Sequence, residues 1–313
     1  MAELYTLGNF TIDDIVLHDG RTWIDQAGGN VLYSALGAKI WLSEVGIIAR
    51  IGNDLPERYL DMLATFDLEL VLTHLPRPNL HDWALYEPDG SRQFINHRRS
   101  GDNDEMSIRA AEILPVQRTG QAYHIAPMPT LRQRELVHAL KRPDNLVALD
   151  PHELFLEGFE NLLWETLRHV DFFLPSREEA RRLIGSDVPE RAVKEFARCG
   201  PRVTVVKLDT EGSLVYEAAG DRLTHVPIYA AKAVDVTGAG DAYCGGFLAG
   251  YLLHGDPVEA ACHGTVSASY VVESLGALHV RRPSRGEAEA RVASVRERTT
   301  AMTAFTPKTE RVQ

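Results

Sequence analysis

The segment Val234-Asp235-Val236-Thr237-Gly238-Ala239-Gly240-Asp241 sets two carboxylates around a run of small residues. Without large side chains at 238–240, backbone N–H groups there can approach a ligand closely. Extended residues precede the run and a helical pattern begins at Ala239, which places those groups at a helix N-terminus. Unpaired donors and the macrodipole make such an end attractive to an anion. Asp241 then has two roles open to it: capping the helix, or accepting a proton from a hydroxyl that attacks a nearby phosphate. The residues alone leave both open.

Other chemistries find less support. No Gly-x-x-x-x-Gly-Lys-Ser/Thr run occurs, which sets aside a P-loop. The Gly-x-Gly at 238 and 240 lacks the placement of a dinucleotide fingerprint, after a first strand and ahead of an acid about 20 residues on. No Ser/His or His/Glu arrangement at catalytic spacing points to a hydrolase. The net charge of −11 argues against nucleic acid or an anionic membrane surface as partner. The three cysteines, Cys199, Cys244 and Cys262, form no CxxC pair, so neither a disulfide framework nor a zinc site is expected. The N-terminus lacks the basic and apolar regions of a secretory signal, and no apolar run approaches the roughly 20 residues of a bilayer span. A cytoplasmic protein is expected.

The elements that must hold the loop follow from periodicity. Short apolar runs at 4–7, 45–50, 70–73, 122–125, 146–150, 172–174 and 203–207 read as strands. Helical patterns lie between them at 31–42, 56–66, 131–140, 177–184 and 192–198, and two long ones follow at 239–254 and 257–273. This alternation predicts an α/β fold with a mostly parallel sheet covered on both faces. Residues 15–24 and 83–97 break the alternation as extended excursions, the second with a hairpin turn at Glu87-Pro88-Asp89-Gly90. The stretch after about residue 299 is polar and reads as frayed.

Residues 235–248 match the second signature of the PfkB/ribokinase family of carbohydrate and nucleoside kinases at every constrained position. The resemblance implies a ribokinase-like three-layer fold with a small β-lid. It places a kinase domain over 1–300, lid segments at about 11–27 and 81–99, and a disordered tail at 301–313. It makes Asp241 the catalytic base, and Gly238, Ala239 and Gly240 the anion hole for the transferring phosphoryl group. Asp235 resembles a ligand of a monovalent cation, K+. Gly8-Asn9-Phe10-Thr11-Ile12-Asp13 resembles the first-strand element whose Asp13 binds substrate hydroxyls, and Ala27-Gly28-Gly29-Asn30 resembles the turn that brings backbone to the sugar. Lys207, Asp209 and Gly212 sit where the family has its nucleotide-binding strand end, and His263 resembles an adenine-side position. ATP and Mg2+ are the implied cofactors.

The chain also departs from the family pattern. Ser176 stands for a usual Asn in Pro175-Ser176-Arg177-Glu178-Glu179, where Glu179 could still orient metal-bound water. Asp209 replaces a usual glycine, Tyr33 a frequent substrate-binding Asn, and Pro127-Met128 a usual acid. Arg99 resembles an arginine that meets the substrate carboxylate in the 2-keto-3-deoxygluconate kinase branch. An extended strand there would turn Arg98 and Arg99 to opposite sides. The expected substrate is a sugar or sugar acid, with a nucleoside stacked on Tyr33 as runner-up. A catalytically weak sugar- or nucleotide-binding relative is the alternative of another class. A homodimer paired through the lid is the expected assembly.

Overall fold

The computed structural model describes residues 2–88 and 92–302. The first part of the chain gives β1 (Leu4–Asn9), β2 (Thr11–Val16), β3 (Thr22–Gly28), α1 (Asn30–Lys39), β4 (Val45–Ile51), α2 (Glu57–Ala64) and β5 (Glu69–His74). Then come β6 (Leu80–Tyr86), β7 (Arg92–Asn96), α3 (Asn103–Met106), β8 (Ala122–Ile125), α4 (Thr130–Leu140), β9 (Leu146–Leu149) and α5 (Glu160–Leu167). The last part forms β10 (Phe172–Phe173), α6 (Arg177–Ile184), α7 (Pro189–Arg198), β11 (Val203–Lys207), β12 (Ser213–Glu217) and β13 (Arg222–Val226). It closes with α8 (Ala239–His254), α9 (Pro257–Val272), α10 (Arg285–Arg296) and β14 (Thr300–Met302).

Ten strands make one sheet in the order β14-β13-β12-β11-β10-β9-β8-β1-β4-β5. From β5 to β11 the neighbours run parallel, whereas β12, β13 and β14 are antiparallel. Alternate residues of the parallel strands feed two apolar layers. Leu4, Ala122 and Val205 face a layer shared with Leu32, Phe247 and Val266, while Tyr5, Tyr123 and Val206 face Leu136, Leu163 and Phe196. Burial on both faces is why these strands are almost continuously apolar.

The antiparallel edge was not expected. The β12–β13 hairpin has short strands with polar ends, and β14 lies where a frayed tail was expected from 301. Residues 300–302 instead pair with 223–225, while 303–313 lie outside the described residues. The 11–27 and 81–99 segments build a second sheet, ordered β3-β2-β6-β7. Of the expected turn at 87–90, Asp89 and Gly90 lie outside the described residues.

Helix α8 starts at the loop and packs unusually close to its neighbours, because small residues face each other. A Cβ on Gly245 would stand 1.9 Å from the Ser34 carbonyl oxygen in α1, and one on Gly246 would stand 2.2 Å from Ser267 Oγ in α9. The Trp41 indole donates to that same Ser267 hydroxyl at 2.8 Å, and Ser267 donates to the Gly37 carbonyl at 2.9 Å. Among the described residues no helix is long and apolar enough to cross a membrane.

Gly245→Leu should therefore cost about 3 kcal/mol or more, because the obstructing atom is backbone that cannot repack. Gly286→Ala in α10, with nothing within 4 Å of the added carbon, should be neutral or stabilise by up to about 1 kcal/mol. Urea unfolding of the two variants checks this; equal effects would contradict the packing account.

Candidate active site

Lys207 at the end of β11, Asp150 just past β9 and the loop that opens α8 gather at the carboxyl ends of the parallel strands, where open α/β sheets place their ligand clefts. Gly238 takes φ 74° and precedes Ala239, the first residue of α8, so the small-residue run does open a helix. Gly240 is exposed and Asp241, in the first turn, is half-buried. Lys207, the last residue of β11, reaches across to Asp150, just past β9, with Nζ 2.8 and 2.7 Å from the two carboxylate oxygens. A Cβ placed on Gly240 would lie 3.5 Å from the same Nζ. The ammonium thus stands beside the end of α8.

Burial alone would lower the Lys207 pKa, but the Asp150 carboxylate outweighs it, with Glu179 adding, and holds the ammonium protonated. Burial pushes the Asp150 carboxyl upward against the pull of Lys207, and Glu179 and Asp241 push it further. Asp150 and Glu179 therefore act on the ammonium directly, and Asp241 acts on Asp150. Nearby, the buried His124 is driven down to about 3 by burial and by Lys207, so it is neutral; its Nδ1 shares a 2.7 Å hydrogen bond with Ser34 Oγ. His124, Asp150 and Cys244 lie close enough to hold a metal, but the Lys207 ammonium already supplies the cation there.

Ser176 caps α6 and forms a capping box with Glu179: the Ser176 N–H donates to Glu179 Oε2 at 2.7 Å. This fixes the Glu179 carboxylate near Lys207 and engages one of its oxygens. Asp209 is exposed and takes φ 52°, a conformation a glycine would adopt more easily; aspartate tolerates it. Gly212, with φ 96°, approaches the Val226 carbonyl too closely for any Cβ.

Asp235 is buried and both of its oxygens accept hydrogen bonds. Oδ1 receives the Tyr86 hydroxyl and, at 2.9 Å, the Thr237 N–H; Oδ2 receives the Gly276 N–H at 3.2 Å. Tyr86 lies on β6 and also meets Thr237 Oγ1 at 2.8 Å, so the small sheet is tied directly to the loop. On the same face of that sheet Asp13 stands opposite Asp82, and Asn96 Nδ2 donates to Asp82 at 2.7 Å. A Cβ on Gly28 would meet the Asp13 carboxylate at 2.0 Å, and Gly29, at φ 103°, is pressed against the Asn9 carbonyl oxygen. Asn30 is committed to structure. Its Oδ1 accepts from the Asn9 N–H at 2.9 Å and its Nδ2 donates to the Pro127 carbonyl at 2.7 Å.

Three expectations change. Tyr33 is buried, and its ring covers Gly238 so closely that a Cβ there would stand 2.0 Å from the ring, which leaves it no face for a stacked base. His263 has no exposed surface: it packs on Trp41 with ring centroids 4.4 Å apart and bonds the Glu259 carbonyl, so it supports α9 and presents no face to the cleft. Arg98 and Arg99 lie in a turn closed by the Ser100 N–H on the His97 carbonyl, not on a strand. Both are exposed and line one cavity of about 500 Å³ with Asp54, Pro78, His81 and His97. Sequence reasoning missed Asp150, Tyr86 and Asp82. The signals were an acid ending an apolar strand before Pro151, and the two-residue period linking 82 to 86.

A pfkB family carbohydrate kinase model matches residues 5–283. A cytidine kinase from Thermococcus kodakarensis is 30% identical over 264 residues, covering 83% of this chain and 91% of that protein. A fructokinase from Klebsiella pneumoniae is 28% identical over 278 residues, 83% and 88% of the two chains. Among solved structures, a chain assigned as ribokinase II from E. coli, in complex with ATP and Mg2+, superposes with TM-score 0.77 at 20% identity, over 94% of this chain and all (100%) of that one. The nucleoside kinase of Methanocaldococcus jannaschii gives 0.74 at 21% identity, over 93% and 98%. At that identity the structural matches carry the fold.

Burial pushes Asp13 up to about 7; a hydrogen bond from Thr11 opposes this, and the carboxylates of Asp82, Asp235 and Asp14 add to it. A carboxyl raised by folding stabilises fully below its unfolded pKa, and that contribution is lost as pH rises through the folded one. Asn at 13 stays neutral. The stability of Asp13→Asn relative to the native chain should thus rise by about 2–4 kcal/mol between about pH 4 and pH 8. Urea titrations at both pH values test it, and a pH-independent difference would refute it.

Proposed function

The chain belongs to the pfkB family of carbohydrate kinases, and on that premise we propose that it transfers the γ-phosphoryl group of ATP to a hydroxyl of a sugar or sugar acid, with Asp241 as general base. One observation supports this most directly: the Lys207 ammonium stands beside the N-terminus of α8, whose first turn carries Asp241. Phosphoryl transfer needs little covalent help from the protein, only positioning and charge stabilisation. Gly238, Ala239 and Gly240 would offer N–H donors to the phosphoryl oxygens, while Lys207 balances their charge. Asp241, an acceptor when ionised, takes the hydroxyl proton.

ATP would enter from the loop at 207–212, where the exposed Asp209 side chain can turn to solvent. The carboxylates of Asp150, Glu179 and Asp241 exceed the single ammonium in charge, an oxygen-rich setting that fits Mg2+ held partly through water. Mg2+ would neutralise the phosphates there. Both oxygens of Asp235 already accept donors, so K+ at that position would have to share them. Asp13, Gly28 and Gly29 form the hydroxyl-binding wall, and the small sheet acts as a lid that excludes water. Ile24, Phe94 and Ile95 expose about half of their surface on that sheet, an apolar area suited to pairing with a second lid.

A nucleoside acceptor is the second reading, favoured by the cytidine kinase relative at 30% identity. With Tyr33 spent on Gly238, a base would have to lie against the lid.

Asp241→Asn should keep the fold and ligand binding while kcat falls by about 10² or more. Initial rates of ADP release in a folded variant check it, and near-normal turnover would rule Asp241 out as base. Arg99 lines a cavity with His81 and His97, on the face of the small sheet opposite to Asp13, so Arg99→Met should leave KM unchanged for ATP and for a sugar acid alike. A panel of aldonates, neutral sugars and nucleosides decides the class. A best substrate that is a nucleoside would overturn the sugar reading.

A further inference from the structure

The sheet face turned away from the phosphoryl loop carries a second cluster. Strand side chains alternate, so Asp14, His81 and Trp83 point opposite to Asp13, Asp82 and Tyr86. His97, just past β7, lies on the His81 ring with centroids 3.9 Å apart and planes within 5°, and Trp83 covers its other side at 4.7 Å. Asp14 Oδ2 is 3.1 Å from His97 Nε2 and 3.7 Å from His81 Nε2. Both Nε2 atoms are buried and, among the described residues, neither makes a hydrogen bond. Such atoms are costly without a partner.

Asp14 is held for this position. Between Asp13↔Gln26 and Ile15↔Trp23, β3 carries one extra residue, a bulge that re-aims the strand. Asp25, at φ 52°, turns its N–H onto Asp14 Oδ1 at 2.8 Å, leaving Oδ2 toward the histidines. Tetrahedral zinc with bonds near 2.0–2.1 Å wants ligand atoms about 3.4 Å apart. The observed 3.1 and 3.7 Å lie on either side of that spacing.

We propose that Asp14, His81 and His97 bind a divalent transition ion such as Zn2+, in a site separate from the phosphoryl-transfer centre. Two imidazoles and one carboxylate suit zinc or cobalt, whereas Mg2+ wants oxygen ligands. The fourth position opens on the cavity that His81 and His97 line with Arg98 and Arg99, where the arginines would favour water or an anionic ligand. Binding must turn the two parallel rings so that their lone pairs converge, which opens the stack against Trp83. The ion would then join β2, β6 and the segment after β7, clamping the small sheet.

Full-length protein stripped with chelator and titrated with Co2+, without nucleotide, should take up one ion per chain and develop visible d–d absorption. Uptake should quench Trp83 emission, a response that Trp83→Phe loses while still binding. His81→Ala and His97→Ala should each weaken binding by about tenfold or more. Asp241→Asn should bind as the native chain does. Absence of stoichiometric uptake, uptake that leaves Trp83 emission unchanged, or native affinity in a folded histidine variant would each overturn the site. Because the Trp83 response is read on the unmutated chain, poor folding of a variant does not shield the proposal.

Discussion

The buried pair between Lys207 and Asp150 is the constraint around which the rest of the site is arranged. Its side chains are 14% and 3% exposed, and both must leave water to meet. Such a pair is tolerated because each charge finds the other, and removing one partner strands the second at a cost of about 3–5 kcal/mol. Parallel pairing of β9 with β10, and β10 with β11, brings the two strand ends to the same level of the sheet. The ammonium then lies next to the start of α8, where positive charge and N–H donors add on one point. Glu179 acts on the ammonium and Asp241 on Asp150, so a phosphate and its counter-cation would meet charges already in place.

Close helix packing is the second condition for that geometry. Gly245 and Gly246 let α8 approach α1 and α9 until backbone touches side chain or backbone, and the Trp41–Ser267–Gly37 hydrogen bonds lock the contact. Tyr33 belongs to the same arrangement. Lying over Gly238, it holds the left-handed turn that begins α8 and walls the site at its base. A residue that looks like a substrate contact in the sequence is in part a support for the loop.

The small sheet is tied to the loop through Tyr86. The Tyr86 hydroxyl reaches from β6 to Asp235 and Thr237, so the sheet's position is registered directly at the turn that opens α8. The same sheet sorts its polar residues by face. Asp13, Asp82 and Asn96 look toward the site; Asp14, His81 and His97 look away. Strand alternation turns the two adjacent aspartates to opposite faces, and the β3 bulge gives Asp14 a backbone donor.

Local pattern determined the α/β class, the parallel strands and the loop from 235 to 241, because apolar period and small-residue runs act within a few residues of chain. It placed strands 122–125 and 203–207 and helices 177–184 and 239–254 as they stand in the fold. It failed where partners are distant in sequence. Strand β14 exists because β13 offers an edge, Asp150 gains its role only when Lys207 crosses from a strand 57 residues later, and His263 is decided by Trp41 packing on it. Arg98 and Arg99 read as a strand but fold as a turn, since the Ser100 N–H finds the His97 carbonyl. Which groups meet, and therefore their charge states and exposure, is set by packing between elements. The sequence by itself supplied the loop and a set of candidate residues, and only the tertiary structure decided which groups face one another.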